Sequence, residues 1–158
     1  MERHAEVIRA FYAAFQRRDH AAMGACYTPD ATFSDPVFPD LRGPQVAAMW
    51  RMLCERGTDL RVTFGEVEAT EAGGSARWEA WYTFGATGRP VHNIIRAEFT
   101  FRDGRIARHR DDFDLYRWAR QALGVKGALL GWTPPVQNAI RRQAARALAA
   151  FTARIEQD

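Results

Sequence analysis

The hydrophobic pattern changes its period twice, and this restricts the possible folds more than any other feature. From Glu2 to Arg18 the apolar residues recur at helical spacing, whereas from Leu60 to Asp114 apolar and polar residues alternate. Alternation over segments this long is typical of antiparallel strands with one buried face. Helical spacing returns at Leu115. The sequence therefore predicts an α+β domain in which one block of strands lies between helical segments.

Hairpin signals divide the alternating block. Short segments rich in glycine interrupt the alternation at residues 72–74, 87–90 and 102–104, and the Asp-Gly step in the last of these is the strongest signal. We expect four strands, at Leu60–Thr70, Ala76–Ala86, Val91–Phe101 and Arg105–Phe113. Because the strands are long, the antiparallel sheet that they form is expected to be strongly curved.

The segments on either side of this block are expected to be mainly helical. Before the block we expect helices at Glu2–Arg18, at His20–Cys26 with Asp19 as its cap, and from Pro44 to about Cys54. After the block we expect helices at Leu115–Leu123 and from Thr133 or Pro135 to about Ile155. The glycines at positions 124, 127 and 131 are expected to break the stretch between these two helices.

The segment between the second and third helices carries two prolines of interest. Thr28-Pro29-Asp30 is interpreted as a turn, followed by a short strand at Ala31–Ser34. Asp35-Pro36 comes next, and proline keeps the preceding residue extended, so the Asp35 side chain is expected to project from a defined backbone. A loop, Val37–Gly43, completes the segment.

Composition limits the function classes. The chain has 158 residues, 47% of them hydrophobic, which fits one globular domain. Its positive charge lies near the C-terminus, because residues 115–158 hold seven Lys/Arg and two Asp/Glu, a net of +5, whereas residues 1–114 hold 15 and 17, a net of −2. No nucleic-acid-binding motif accompanies these arginines, so we interpret them as a solvated helix face and expect neither nucleic acid nor membrane as a partner.

The same considerations predict where the protein resides and what it lacks. The N-terminal segment has no signal-peptide core, and no apolar run is long enough to span a bilayer. Cys26 and Cys54 fit neither a disulfide framework nor a metal-ligand spacing. The histidines fall on separate elements without metal-binding spacing. We therefore expect a cytoplasmic protein without a metal or cofactor.

Two stretches of the chain carry a family resemblance. The first is Phe11-Tyr12-Ala13-Ala14-Phe15 with Asp19, followed by Tyr27-x-x-Asp30-Ala31-Thr32-Phe33-x-Asp35-Pro36. The second is Phe99-x-Phe101-x-Asp103-Gly104-Arg105-Ile106, followed by Arg110-Asp111-Asp112-Phe113-Asp114. With these motifs in this order, the chain resembles the nuclear-transport-factor-2-like superfamily, and its SnoaL-like branch in particular. That superfamily also includes ketosteroid isomerases and limonene epoxide hydrolases.

The resemblance implies a particular architecture. It predicts a cone-shaped fold in which a ligand cavity lies between the concave face of the sheet and the helices, and a homodimer formed sheet to sheet. It covers roughly residues 5–118. We therefore expect a SnoaL-like domain at residues 1–118 and a helical extension at residues 119–158 that packs on the same domain.

Alternation along the strands indicates which side chains face this cavity. On the last strand His109, Asp111 and Phe113 share one face, and the opposite face carries Arg108 and Arg110. Because the arginines need solvent, the first set is expected to point inward. The resemblance also places Trp78, Tyr82 and Phe84 on the inner face of the second long strand. The expected substrate-binding residues are therefore mainly aromatic: Tyr12, Trp50, Trp78, Tyr82, Phe84, Phe99 and Phe113.

Three residues are candidates for catalysis. Asp111 matches the last-strand aspartate of limonene epoxide hydrolases, and a carboxyl group among aromatic rings suits acid–base chemistry. His109 lies two residues away on the same face, where Asp111 could fix its tautomer, or where it could bond only to backbone or water. Asp35 matches the general base of ketosteroid isomerases, or else serves as a cap for the Asp-Pro turn.

The best-known catalytic sets of the superfamily are incomplete in this chain. Phe11 and Ala97 stand at the two oxyanion-donor positions of ketosteroid isomerases, and Trp78 and Ala80 stand near the Arg-x-Asp positions of limonene epoxide hydrolases. A SnoaL-like reaction needs only a general base, Asp111 or Asp35, and a hydrogen-bond donor, His109 or Tyr82.

We therefore expect a cofactor-free acid–base enzyme of isomerase, cyclase or hydrolase type that acts on a hydrophobic small molecule. The alternatives are a non-catalytic carrier or sensor of hydrophobic ligands and a dimeric interaction module.

Overall fold

One sheet and six helices form the chain, and the computed structural model describes residues 2–157. The helices are α1 (Glu2–Gln16), α2 (His20–Ala25), α3 (Pro44–Arg56), α4 (Leu115–Leu123), α5 (Val125–Leu130) and α6 (Pro134–Glu156). The strands are β1 (Tyr27–Ser34), β2 (Leu41–Arg42), β3 (Arg61–Ala69), β4 (Gly73–Phe84), β5 (Arg89–Arg102) and β6 (Arg105–Asp112). The α+β class predicted from the change of period is confirmed.

The sheet is curved and does not close on itself, with the strand order β2-β1-β6-β5-β4-β3. Strands β3 to β6 form the antiparallel meander that the hairpin signals predict. Strand β1 lies beside β6 and runs parallel to it, whereas the short β2 pairs with β1 in the antiparallel direction. Strand β1, from the beginning of the chain, and β6, the last strand, are therefore neighbours within the sheet.

Strand β1 is longer than predicted. Thr28-Pro29-Asp30, which was expected to be a turn, belongs to this strand. The register between β1 and β6 shifts between Tyr27 and Thr32, so the segment around Pro29 forms an irregular bulge where no ladder hydrogen bond is needed from the proline nitrogen. Tyr27 is therefore fixed in the sheet, and this has consequences for the site.

The main core lies between the inner face of the sheet and helices α1 and α3. Helix α1 buries Ile8, Phe11, Tyr12 and Phe15, and helix α3 buries Met49 and Trp50 among others. Asp19 caps α2 as predicted, since its side chain accepts a hydrogen bond from the Ala22 amide. Inward-pointing residues of β4, β5 and β6 complete the core.

Helix α4 covers an open sheet edge. Strand β5 extends past the end of β6, since the pairing with β6 begins only at Arg96. In the uncovered part, Gln121 accepts a hydrogen bond from the backbone N–H of His92 at 2.7 Å and donates one to its carbonyl at 3.0 Å. Arg117 donates to the same carbonyl. Side chains of α4 thus supply the hydrogen bonds that a further strand would supply.

Helix α5 occupies the stretch that the glycines at positions 124, 127 and 131 were expected to break. Gly124 and Gly131 do end helices as expected, because Gly124 separates α4 from α5 and Gly131 follows α5. Gly127 was wrongly expected to be a break, since it lies within α5. A Cβ atom at Gly127 would overlap the carbonyl of Ala119 on α4, so this glycine allows close packing. The glycines face inward, so the large apolar side chains face outward. Four large apolar residues of this region are exposed: Val125, Leu129, Leu130 and Trp132.

The final helix is part of the same packed unit. Leu148 and Phe151 of α6 are buried in the main core, and α6 packs on α3. Ile140, near its N-terminal end, packs against a second cluster built around Val91, Leu115 and Trp118. The boundary expected between residues 118 and 119 stays a prediction, although these contacts support an extension that packs on the domain.

Within residues 2–157 no helix is long and apolar enough to cross a membrane.

Candidate active site

The parallel pairing of β1 and β6 builds the candidate site. Phe33 is paired with His109 and Ser34 with Arg110. Alternation directs His109 and Asp111 to the inner face, where they are 0% and 4% exposed, while Arg108 and Arg110 are exposed on the other face. The inward assignment made from the sequence is confirmed for both residues.

A buried chain of hydrogen bonds runs through His109. The Trp50 indole donates to the Tyr27 hydroxyl at 2.9 Å, and the hydroxyl lies 2.7 Å from Nδ1 of His109. Nε2 of His109 lies 2.8 Å from Oδ1 of Asp111. The His109–Asp111 contact, one of the alternatives that the sequence left open, is therefore present, and the histidine is also held from its other side.

The donors and acceptors of this chain fix its polarity. The indole of Trp50 can only donate, so the Tyr27 oxygen accepts from it and the Tyr27 O–H donates to Nδ1 of His109. Nε2 of His109 then carries the hydrogen and donates to Asp111. With this assignment each group of the chain has a hydrogen-bond partner.

Aromatic rings surround the same histidine. The ring of Phe99 is 4.4 Å from the imidazole, that of Phe33 5.0 Å and that of Phe11 5.6 Å. Trp50 stacks on it at 6.0 Å. With all these neighbours and both ring nitrogens bonded, His109 cannot reach a substrate directly. Its expected part as a hydrogen-bond donor to the substrate is not supported by this geometry.

Asp111 is different, because one of its oxygens is held and the other is not. Oδ1 accepts from His109 and, at 3.4 Å, from the indole of Trp78. Both of these bonds go to Oδ1, which leaves Oδ2 for a substrate or a water molecule. The strand neighbour of Asp111 on β5 is Ala97, which has a small side chain.

Asp35 directly follows Ser34, the last residue of β1, whose partner on β6 is Arg110, so the chain brings it near Asp111. Its Oδ1 accepts from the backbone amides of Val37 and Phe38, at 2.7 and 2.6 Å. Burial raises its pKa to about 7, the nearby charge of Asp111 adds to the rise, and the two amide bonds oppose it. The turn-capping interpretation is therefore correct, but Asp35 is also a carboxyl group that titrates near neutrality while keeping partial exposure to solvent.

Tyr12 contributes a hydroxyl that has no partner within the described residues. The side chain is fully buried, and its ring packs against those of Phe64, Trp78 and Phe99. Burial raises the pKa of Tyr12 well above its usual range, and the charge of Asp111 raises it further. A buried hydroxyl without a partner is costly, so such groups often meet a ligand or water.

Comparison with known proteins fits this architecture. The profile of the SnoaL-like domain matches residues 8–109, which is more than half of the chain. The chain belongs to the SnoaL-like family. A search of curated proteins finds no match.

Solved structures share the SnoaL-like fold at low sequence identity. An LEH-like epoxide hydrolase from M. tuberculosis is 23% identical, with a TM-score of 0.66, over 84% of this chain and 98% of that one. A protein from Catenulispora acidiphila with a ketosteroid isomerase-like fold, in complex with trimethylamine, is 18% identical, with a TM-score of 0.67, over 82% and 98%. A candidate polyketide cyclase from Xanthomonas campestris is 22% identical, with a TM-score of 0.64, over 76% and 96%. At this identity the similarity establishes the fold alone.

The remaining residues expected to line the cavity of this SnoaL-like domain fall into two groups. Trp50, Trp78 and Phe99 are buried around His109 and Asp111. Tyr82, Phe84 and Phe113 are half-buried nearer to α4, where the Trp118 indole donates to the Tyr82 hydroxyl at 2.7 Å. Burial raises the pKa of Tyr82, the bond from Trp118 opposes the rise, and the charge of Asp35 adds to it.

A ligand cavity at this SnoaL-like site stays a prediction. A surface cleft of about 500 Å³ lies beside Arg61, Trp81, His92 and Gln121, and a smaller one of about 170 Å³ lies beside Glu66 and Arg77. Neither is lined by His109 or Asp111. In the described part of the chain, no group of three His, Cys, Asp or Glu residues could hold a metal ion.

Two site residues of the SnoaL-like domain were missed from the sequence. Tyr27 belongs to the family motif, but the turn expected at Thr28 hid its place in β1. Asn93 is a buried polar residue on the inner face of β5, between Val91 and Ile95. Alternation along β5 could have identified Asn93, since it interrupts an inward-facing apolar series with an amide.

Proposed function

We propose that this SnoaL-like domain is a cofactor-free acid–base enzyme that acts on a hydrophobic small molecule. The observation that carries the proposal is the pair of neighbouring carboxyl groups, Asp35 and Asp111, in unlike surroundings. Asp111 receives two N–H donors, whereas Asp35 has a pKa of about 7. Two carboxyl groups whose surroundings differ in this way can divide the roles of acid and base between them.

Asp111 is assigned as the general base. Its Oδ1 is fixed by His109 and Trp78, so Oδ2 is held in one direction and can remove a proton from carbon or from water. The proton that is removed lies on a carbon next to a carbonyl group in an isomerase or a cyclase, and on water in a hydrolase. His109 and Tyr27 act through Asp111 as positioning residues.

Asp35 and Tyr12 are assigned as the groups that interact with an oxygen atom of the substrate. A carboxyl group with a pKa of about 7 is partly protonated at neutral pH, so Asp35 can return a proton as a general acid. The Tyr12 hydroxyl keeps its hydrogen because its pKa is raised, and it lacks a partner within residues 2–157. It can therefore donate to an enolate or alkoxide oxygen as charge develops there.

The chemistry of the interior suggests the class of substrate. The groups around the carboxyl pair are mainly aromatic rings, which favours a largely apolar molecule with one or two oxygen atoms. Relatives in fold include an epoxide hydrolase and a candidate polyketide cyclase. Polycyclic aromatic ketones and hydrophobic epoxides are therefore the first two compound classes to test.

The decisive experiment compares Asp111→Asn with Asp112→Asn. Asp112 is the adjacent, exposed residue on the opposite face of β6, which makes it a matched control. Each protein is incubated with the two compound classes, and NMR follows deuterium uptake at carbon next to the carbonyl and opening of the epoxide. Asp111→Asn is expected to lower the rate at least about 100-fold, in line with the usual contribution of a general base, while Asp112→Asn leaves it unchanged. Equal rates in the two variants would remove Asp111 from the mechanism.

A carrier or sensor of hydrophobic ligands is the second candidate. It is favoured by the close packing around His109 and by Trp78 and Ala80, which stand near two catalytic positions of limonene epoxide hydrolases. It predicts that compounds from the same panel raise the melting temperature without being converted. The homodimer implied by the resemblance also stays a prediction, for which sedimentation equilibrium is the direct measurement.

A further inference from the structure

The Asp35 carboxyl group sits in a turn that is closed by its own hydrogen bonds. Its side chain accepts from the amides of Val37 and Phe38, and its backbone N–H donates to the carbonyl of Phe38 at 2.8 Å. Pro36, between these residues, has no N–H to offer. Its carbonyl is therefore the group by which this turn can be held from outside.

A residue of the final helix makes that bond. Nε of Arg141 on α6 donates to the Pro36 carbonyl at 2.8 Å, across 105 positions of the sequence. Nη1 of Arg141 also donates to the side-chain oxygen of Asn138, one turn earlier on α6, at 3.0 Å. A residue of the same helix thus helps to orient the guanidinium group that bonds to the turn.

Apolar packing fixes both partners of this bond. Ile140, the neighbour of Arg141, packs against the cluster of Leu115 and Trp118, and Val37 of the turn packs against the same cluster. Further along α6, Leu148 and Phe151 are buried in the main core. The helix therefore cannot slide along the surface without breaking contacts at both places.

We propose that Arg141 is a positioning residue for Asp35. By its hydrogen bond to the Pro36 carbonyl, it keeps the turn that contains Asp35 packed at the C-terminal end of β1. The proposal rests on the proposed function, in which Asp35 is the general acid. Helix α6 lies beyond the segment that the family profile matches. In this proposal, a helix outside the matched segment therefore helps to set the pKa of Asp35.

The proposal predicts the direction in which the pKa of Asp35 changes when the turn is loosened. Burial is the largest cause of the raised pKa of Asp35, so a looser turn that admits water lowers that pKa toward 3.8. Arg141 is not among the charges that shift the pKa of Asp35, so the expected fall comes from the loosened turn and not from loss of the cation. The other titratable groups that face Asp35 are Asp111 of β6 and Tyr82 of β4, and neither is changed by substitutions on α6.

The test is a titration of Asp35 by NMR in protein labelled with ¹³C at the aspartate carboxyl carbons, with Asp35→Asn used to assign the signal. In Arg141→Gln the pKa of Asp35 is expected to fall by at least about one unit. Arg142→Gln, at the adjacent exposed position, is the matched control and leaves the pKa unchanged. Arg141→Lys keeps a cationic donor and retains most of the raised value.

Three results would overturn the proposal. They are a pKa in Arg141→Gln equal to that in Arg142→Gln, a rise instead of a fall, and a wild-type pKa already near that of an exposed aspartate. If Arg141→Gln fails to fold, Asn138→Ala gives a milder version, because it leaves Arg141 in place without its orienting bond and still lowers the pKa. The titration needs no substrate, so its failure is distinct from failure of the turnover comparison between Asp111→Asn and Asp112→Asn.

Discussion

Asp35 directly follows the last residue of β1, Asp111 lies on the parallel strand β6, and the charge of Asp111 helps to raise the pKa of Asp35 to about 7. The two residues are 76 positions apart in the chain. They meet because the first strand of the domain inserts beside the last one.

The stability of the protein should depend on pH through Asp35. The carboxyl titrates near 3.8 when unfolded and near 7 when folded, so its contribution to stability is fully present below about pH 4 and is lost as the pH rises to 7. Asn at this position can still accept the two backbone amide bonds but cannot ionise. Between pH 5 and pH 8 the wild type should lose roughly 1–3 kcal/mol relative to Asp35→Asn, after allowance for partial solvent exposure. Urea denaturation at several pH values measures this, and parallel curves for the two proteins would contradict it.

Removal of the Tyr27 hydroxyl should destabilise the protein strongly. In Tyr27→Phe the indole N–H of Trp50 and Nδ1 of His109 both lose their buried partner. Each unpaired group costs about 1–3 kcal/mol, so a loss of about 2–4 kcal/mol in the free energy of unfolding is expected. Tyr116→Phe is a suitable control, because that hydroxyl bonds to the Ala128 carbonyl near the surface and should contribute less than about 1 kcal/mol. Similar losses in the two variants would mean that the buried hydrogen-bond chain is not intact in solution.

Tyr12→Phe should have the opposite effect on stability. The hydroxyl has no partner among residues 2–157 and is sealed from solvent, so its removal relieves a desolvation cost. The variant is expected to be as stable as the wild type or up to about 1 kcal/mol more stable by thermal unfolding. If Tyr12 donates to the substrate oxygen, the same variant loses turnover. A variant that is both less stable and fully active would refute the role assigned to this hydroxyl.

Gly127→Ala tests the close packing of α5 on α4. The added methyl group would overlap the Ala119 carbonyl, so α5 must move away from α4 or the pair must be strained, at a cost of about 3 kcal/mol or more. Gly85→Ala provides the comparison, since nothing lies within 4 Å of the position that its Cβ would take. Thermal unfolding and the near-UV circular dichroism spectrum, to which Trp118 contributes, report on stability and aromatic packing. Equal melting temperatures for the Gly127→Ala and Gly85→Ala proteins would disprove the close approach of α5 to α4.

Local pattern was sufficient for the inner face of β6. The inward positions of His109 and Asp111 follow from alternation, because the period of a strand is two and the opposite face carries arginines. For Trp78 on β4, alternation defines the two faces, and the family resemblance was needed to choose the inner one. The helix at Leu115–Leu123 was also predicted with the bounds that the structure has. In these cases one physical preference, burial of apolar residues, acts without competition.

Two features could not be predicted because distant partners decide them. Strand β1 pairs with β6 across about 75 residues, and that pairing overrides the turn preference of Thr28-Pro29-Asp30 and brings Tyr27 to His109. Helix α5 continues through Gly127, because this glycine allows it to approach α4. In both places the local preference for a turn or a break is weaker than the tertiary packing that opposes it.

The amide of Gln121 has a consequence for solubility. It occupies the backbone N–H and carbonyl of His92, where β5 projects beyond β6. A shortened chain that ended at residue 114 would keep the strands of the family fold but would expose this edge of the sheet, and exposed edges invite pairing with other molecules. Such a fragment should aggregate. Helix α4 therefore packs on the sheet and also prevents this edge of β5 from pairing with β5 of another molecule.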